Sequence, residues 1–121
     1  MNTLTIAVLS ILLSIGAQFF LKAGMSSAGV KEVLEEPLAL RTLFSVLTNK
    51  FVFGGFLLYG MGAVVWLAVL AKWEVSKAYP LVGLGFVFTV AIGFVLGEQV
   101  TMMRTIGVLL IGCGVFLVAR S

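Results

Sequence analysis

Histidine and aspartate are both absent from this chain, which removes whole classes of chemistry before any motif is read. Without imidazole there is no histidine metal site, no Ser-His-Asp arrangement and no histidine proton relay. The five acids are all glutamate: Glu32, Glu35, Glu36, Glu74 and Glu98. Catalysis is disfavoured, and no metal or cofactor is expected. The one cysteine, Cys113, can close no intrachain disulfide; it lies in the last apolar stretch and reads as a small packing residue. Charge is scarce as well. Only 11% of the 121 residues are charged while 61% are hydrophobic, and the mean hydropathy is +1.21. A soluble domain of that composition would have too little polar surface, so the chain reads as an all-α integral membrane protein with no nucleic-acid partner.

What is present is a set of four apolar runs, Leu4–Leu21, Phe51–Ala71, Ala78–Leu96 and about 102–119, each close to the length a helix needs to cross a bilayer. The first run has no Lys or Arg before it, and Ala17-Gln18-Phe19 is a poor cleavage pattern, so it is expected to stay as a helix rather than act as a signal peptide. The whole chain, 1–121, reads as one domain with both ends on the same side of the membrane. Its only long connection is Lys22–Lys50. Within it, over about 37–48, Leu40, Leu43, Phe44 and Leu47 repeat at helical spacing, while Arg41, Ser45 and Thr48 do so on another face. Pro37 suits the first turn of such a helix. With Lys31, Arg41 and Lys50 nearby, this segment would lie among headgroups and meet lipid phosphates, or else simply cover the end of the bundle. Orientation is weakly determined. Lys72, Lys77 and Arg120 fall on one side and Lys22, Lys31, Arg41, Lys50 and Arg104 on the other, a three-to-five balance compatible with dual insertion.

The first apolar run carries Ser10, Ser14, Gln18 and Lys22, each four residues from the next and hence along one side of a helix. Polar groups are costly in hydrocarbon and usually face a bundle interior or a wet cavity, so this stripe is the candidate transport path. Glycine is abundant, with fourteen residues, and small residues let membrane helices approach closely. Gly93 and Gly97 form a GxxxG pair in the third run; Gly107 and Gly114 share a face of the fourth with Ile111 between them. Four helices alone enclose little volume, so a dimer is expected to complete any translocation cavity.

Ser76-Lys77-Ala78-Tyr79-Pro80-Leu81, then Gly83-x-Gly85, Gly97-Glu98 and the ending Ile106-Gly107-x-x-Leu110-Ile111-x-x-Gly114-Val115, resemble the second half of a drug/metabolite transporter (EamA-like) unit. Leu13-Ser14-Ile15-Gly16-Ala17-Gln18 with Lys22, and Trp66-Leu67-x-Val69-Leu70, resemble the four-helix, small multidrug resistance-like subunits that flip aminoarabinose-linked undecaprenyl phosphate. The resemblance spans nearly the whole chain. The small multidrug resistance family itself shares the four-helix plan but depends on a first-helix Glu eight residues before a Lys, and here that place holds Ser14. With no carboxylate there, proton-coupled antiport loses its exchanger.

The resemblance implies a transporter that flips a polyisoprenyl (undecaprenyl) phosphate-linked sugar across the bacterial inner membrane. Its partners would be that anionic glycolipid and a second four-helix chain, identical or related. Lys22 would hold the phosphate, or else only anchor the helix end. Gln18 would bond a sugar or phosphate oxygen, or a neighbouring helix, and Ser14 would continue the path. Tyr79 would point into a cavity or sit in the aromatic belt, and Trp66 would stack on the sugar or pack the core. Glu98 would pair with Arg104, balance Lys22 or stay solvated, and Arg41 would meet lipid phosphate. Two alternatives stand beside this: export of a small cation or metabolite with Glu98 as exchanger, and a structural subunit of a glycolipid-modifying complex.

Overall fold

The computed structural model describes residues 2–37 and 39–121; Met1 and Leu38, the latter within the expected interfacial segment 37–48, lie outside the described residues. The first helix, α1 (Thr3–Met25), begins where the Asn2 side chain accepts the Thr5 backbone N–H at 2.8 Å, satisfying one of the donors a helix start leaves free. It runs a full turn beyond Leu21, so Lys22 stands on the helix and not after it. Two short helices fill the long connection, α2 (Ala28–Glu35), capped by Ser27, and α3 (Leu40–Leu47). The second long helix, α4 (Lys50–Leu70), starts at Asn49, whose side-chain oxygen accepts from the Phe51 and Val52 N–H groups at 3.0 and 3.2 Å. The third span is composite, α5 (Val75–Ala78), a 3-10 turn over Tyr79–Val82 and α6 (Gly83–Val95). The last helix is α7 (Met102–Arg120), capped by Thr101.

Thr3–Met25, Lys50–Leu70, Val75–Val95 and Met102–Arg120 are the four helices long and apolar enough to cross a bilayer. The protein is therefore an all-α, multi-pass membrane protein with short helices between its first two spans. Its outer surface is apolar, with Leu109, Leu110, Phe116 and Leu117 of α7 all exposed, an arrangement that suits lipid and not water.

Three local features differ from expectation. Pro37 is not in the first turn of α3: it holds Glu36 in extended backbone (ψ 162°) and so ends α2, and α3 starts only after Ala39. The buried Thr42 hydroxyl bridges this break, donating to the Pro37 carbonyl at 3.4 Å and accepting from the Ala39 N–H at 3.3 Å. The third span begins at Val75 and not at Ala78, so Pro80 lies inside it. Lacking an N–H to give to the preceding turn, it sits where the helix tightens into the 3-10 turn. The Gly93–Gly97 pair, finally, is not a helix-packing seam. Gly97 adopts φ +94°, Gly97 N–H donates to Phe94 C=O and Glu98 N–H to Gly93 C=O at 3.1 and 2.9 Å, the Schellman stop that a left-handed glycine permits.

Packing is densest between α1 and α4. Ser10 is buried there and its hydroxyl donates to the Gly62 carbonyl at 2.6 Å, so the two backbones cross with almost no side chain between them. A Cβ on Gly62 would lie 3.2 Å from the Ser10 carbonyl oxygen and 3.3 Å from Ser14 Oγ. Ile11 and Ile15 of α1 meet Leu81 and Val115 in one apolar cluster, and Ala7, Val69 and Ala78 form another; Trp66 and Trp73 pack against both. Helix α7 contributes a single buried residue, Val115. Cys113 is exposed on it, contrary to its expected packing role, because α7 packs on the outside of α6 and turns most of its girth outward. Gly107 and Gly114 have no neighbour within 4 Å of where a Cβ would stand.

This contrast gives a test. Gly62→Val is expected to destabilise the folded protein by about 1–3 kcal/mol through overpacking at the crossing. Gly107→Val, with open space around it, is expected to change stability by no more than about 0.5 kcal/mol. Thermal unfolding in detergent compares the two directly.

Candidate functional site

A cavity of about 720 Å³ lies between the first three spans. Helix α1 contributes Ser10, Ser14 and Gln18 together with Ile11 and Ile15; α4 contributes Tyr59, Gly62, Ala63, Trp66 and Leu67; the third span contributes Tyr79, Val82, Gly85, Phe86 and Thr89. The glycine-mediated crossing draws α4 onto one side of α1, and Gly85 of the third span faces Ile11. The cavity is open on one side: Tyr59 is 41%, Tyr79 66% and Leu67 62% exposed.

Within it the polar stripe of α1 divides. Ser10 touches the cavity, but its hydroxyl hydrogen is committed to Gly62, and Ser14 Oγ donates to the Ser10 carbonyl at 3.1 Å. This i to i−4 bond is the usual way a helix silences a hydroxyl in an apolar medium. Gln18 is exposed at the mouth and its Nε2 donates to the Tyr59 hydroxyl at 3.1 Å. That leaves the Gln18 carbonyl free to accept and the Tyr59 O–H free to donate.

Of the residues expected from sequence, the structure brings together Ser14, Gln18, Trp66 and Tyr79 on one cavity. Trp66 both packs against the core clusters and faces this space, so its two expected roles coexist. Lys22, Arg41 and Glu98 are not part of the lining. Lys22 is exposed on α1 one turn beyond Gln18, about 6 Å further along the axis. Arg41 is exposed on α3. The Glu98 carboxylate folds back over Gly93, where a Cβ would come within 2.7 Å of its Oε1, because the helix stop turns the chain there. Arg104 donates instead to the Gln99 carbonyl, at 2.6 Å. Tyr59 and Thr89 were not singled out from sequence. Ser14 stood out because it shares a helical stripe with Ser10, Gln18 and Lys22, whereas Tyr59 and Thr89 have no polar partner at that spacing in their own spans.

Four membrane-crossing helices, the first three of them lining a half-open, largely apolar cavity, define a small multi-pass membrane protein. Residues 8–119 match the family described as "Putative transmembrane family 234", and the chain belongs to that family. It is similar over 119 residues, at 33% identity, to a Proteus mirabilis protein named probable 4-amino-4-deoxy-L-arabinose-phosphoundecaprenol flippase subunit ArnF, covering 95% of this chain and 90% of that one. Proteins named as the corresponding ArnE subunit match about half of the chain. Those from Pseudomonas aeruginosa (strain UCBPP-PA14) and Pseudomonas savastanoi pv. phaseolicola are 44% and 41% identical over 63 residues, 51% of this chain and 55% of each relative. No solved structure gives a significant match.

The division within the stripe can be checked by thiol labelling in a Cys113→Ala background. Ser14→Cys is expected to react readily with a small maleimide in membranes. Ser10→Cys, sealed against α4, is expected to stay unreacted until the protein is unfolded.

Proposed function

We propose that this protein is a carrier, not an enzyme, that flips a polyisoprenyl (undecaprenyl) phosphate-linked sugar lipid across the bacterial inner membrane. The observation that carries this is the cavity between the first three spans, apolar over most of its wall, with hydrogen-bonding groups along its α1 and α4 sides and a lysine one turn beyond its mouth. Such a lipid needs its headgroup sheltered while its chain stays in hydrocarbon. Crossing unaided would strip the water from the headgroup, at roughly 2–7 kcal/mol for each polar group left without a partner. Ser14, Gln18, Tyr59, Tyr79 and Thr89 replace part of that hydration. The open side lets the isoprenoid chain hang outside in the bilayer.

Lys22, placed where α1 nears its end, serves in this reading as the phosphate's dock at the membrane surface. Arg41 and Lys50 are exposed on or beside α3 and add positive charge in the connection, where anionic headgroups lie. The similarity to proteins named as flippase subunits supports the same substrate class, and the word subunit in their names supports a second four-helix chain as partner. The outward face of α7, with open glycines and a single buried residue, is available to one. Export by proton exchange is less well supported. Among the described residues the lining holds no carboxylate, and Glu98, its expected exchanger, lies against Gly93.

The test is transbilayer movement of an undecaprenyl-phosphate-linked sugar in reconstituted vesicles. The protein is expected to accelerate it over protein-free vesicles. Lys22→Ala is expected to slow it by about ten- to a hundredfold, from the loss of a charge-assisted bond of about 1.5–3 kcal/mol. Absence of any acceleration, with Lys22→Ala indistinguishable from the parent, would remove the proposal.

A further inference from the structure

A second space lies at the end of α1, apart from the cavity already described. It is a pocket of about 310 Å³ between that helix end, α2 and α3, walled by Met25, Leu34, Ala39, Thr42, Leu43 and Val46. We infer that this pocket takes the first isoprene units of the lipid while Lys22 holds its phosphate. The inference rests on the flipping proposal and adds to it a site that reads the chain.

Among the described residues the wall has one polar side chain, and its hydrogen bonds are already made. The buried Thr42 hydroxyl donates to the Pro37 carbonyl at 3.4 Å and accepts from the Ala39 N–H at 3.3 Å. Water in such a space would lack the polar partners it needs, so an apolar occupant is favoured. Met25, Leu34 and Leu43 are exposed, and the pocket opens outward between them. Leu40 and Phe44 extend this apolar surface along α3, at 84% and 71% exposed, the arrangement of a helix lying at the boundary between headgroups and chains. The opening therefore faces lipid chains and not water.

The order of groups along α1 selects an isoprenyl chain. Met25 follows Lys22 by three residues and so lies on the same side of the helix, about 4.5 Å further along the axis. Gln18, at the mouth of the cavity, precedes Lys22 by one turn on that side. One side of α1 thus passes from the polar groups of the cavity to a cation and then to a wall of hydrocarbon, which is the order sugar, phosphate, chain. In a polyprenyl phosphate the first carbon of the chain is bonded to a phosphate oxygen, so hydrocarbon begins next to the charge. In a glycerophospholipid a glycerol and two ester groups come first. Their carbonyls would enter a pocket with no free side-chain donor, where an unpaired polar group is costly. The remaining isoprene units leave over Leu43 and Phe44 into the bilayer.

The experiment keeps the sugar and the phosphate and changes the lipid. Reconstituted vesicles receive 4-amino-4-deoxy-arabinosyl phosphate joined either to undecaprenol or to diacylglycerol, and the half-saturating concentration for transbilayer movement of each is measured. The undecaprenyl lipid is expected to half-saturate at a concentration roughly tenfold lower, the discrimination that about two buried methylenes give. Ala39→Phe fills the pocket from an extended backbone position that accepts any side chain, and is expected to erase most of that difference. Equal or lower half-saturation by the diacylglycerol lipid in the parent protein overturns the inference and leaves flipping intact. A folded Ala39→Phe protein that keeps the parent's preference also overturns it. Movement of neither lipid removes the flipping proposal and the inference together. Where Ala39→Phe does not fold, thiol protection decides. In a Cys113→Ala background, Val46→Cys is expected to be shielded from a small maleimide by undecaprenyl phosphate and not by phosphatidic acid, and any other pattern overturns the inference.

Discussion

The contact on which the rest of the structure depends is the crossing of α1 and α4, where the Ser10 hydroxyl reaches the Gly62 carbonyl. In hydrocarbon there is no hydrophobic pressure to hold helices together, so close backbone approach and interhelical hydrogen bonds must do it. Such bonds contribute only about 0.6–2 kcal/mol each, and the rest comes from van der Waals contact over a glycine-lined surface. Helix α4 is thus drawn tightly to one side of α1. The third span meets α1 through Gly85 and the Ile11–Ile15–Leu81 cluster, and the cavity lies between the three.

The same crossing sorts the polar stripe by depth. Ser10 is spent on holding the helices, Ser14 is half spent on its own helix, Gln18 is engaged with Tyr59 at the mouth, and Lys22 stands beyond in reach of headgroups. One face of one helix thus grades from structural to exposed over three turns. In the proposed reading, a lipid keeps its phosphate at the surface while its sugar enters the cavity along this gradient. The charged groups of the protein are kept where water or phosphate meets them, consistent with the cost of ions in a low-dielectric interior.

Helix α7 has a different part. It seals the back of the bundle through Val115 against Gly83 and Leu81, and otherwise presents apolar side chains and open glycines outward. An exposed apolar face is no liability in a bilayer. The described lining of the cavity comes from the first three spans, and its open side is not closed by this chain.

The sequence by itself determined the class and the plan. A composition this apolar, broken by short polar connections, permits only helices across a bilayer, because every backbone group must find its partner within its own segment. The amphipathic connection and the alignment of α1's polar residues along one side were legible for the same reason, since helical periodicity is local. What only the tertiary structure decided was which polar groups share a space. Tyr59 and Thr89 join Gln18 and Ser14 because of how three helices cross, and Glu98 is turned away because Gly97 can take a left-handed backbone. Gly93 and Gly97 looked like a packing seam and form a helix stop, since the same spacing serves both and only the backbone's course past residue 97 tells them apart. Spacing along a helix reports the face of a residue, but the neighbour that meets that face is set by distances between helices, which no single segment encodes.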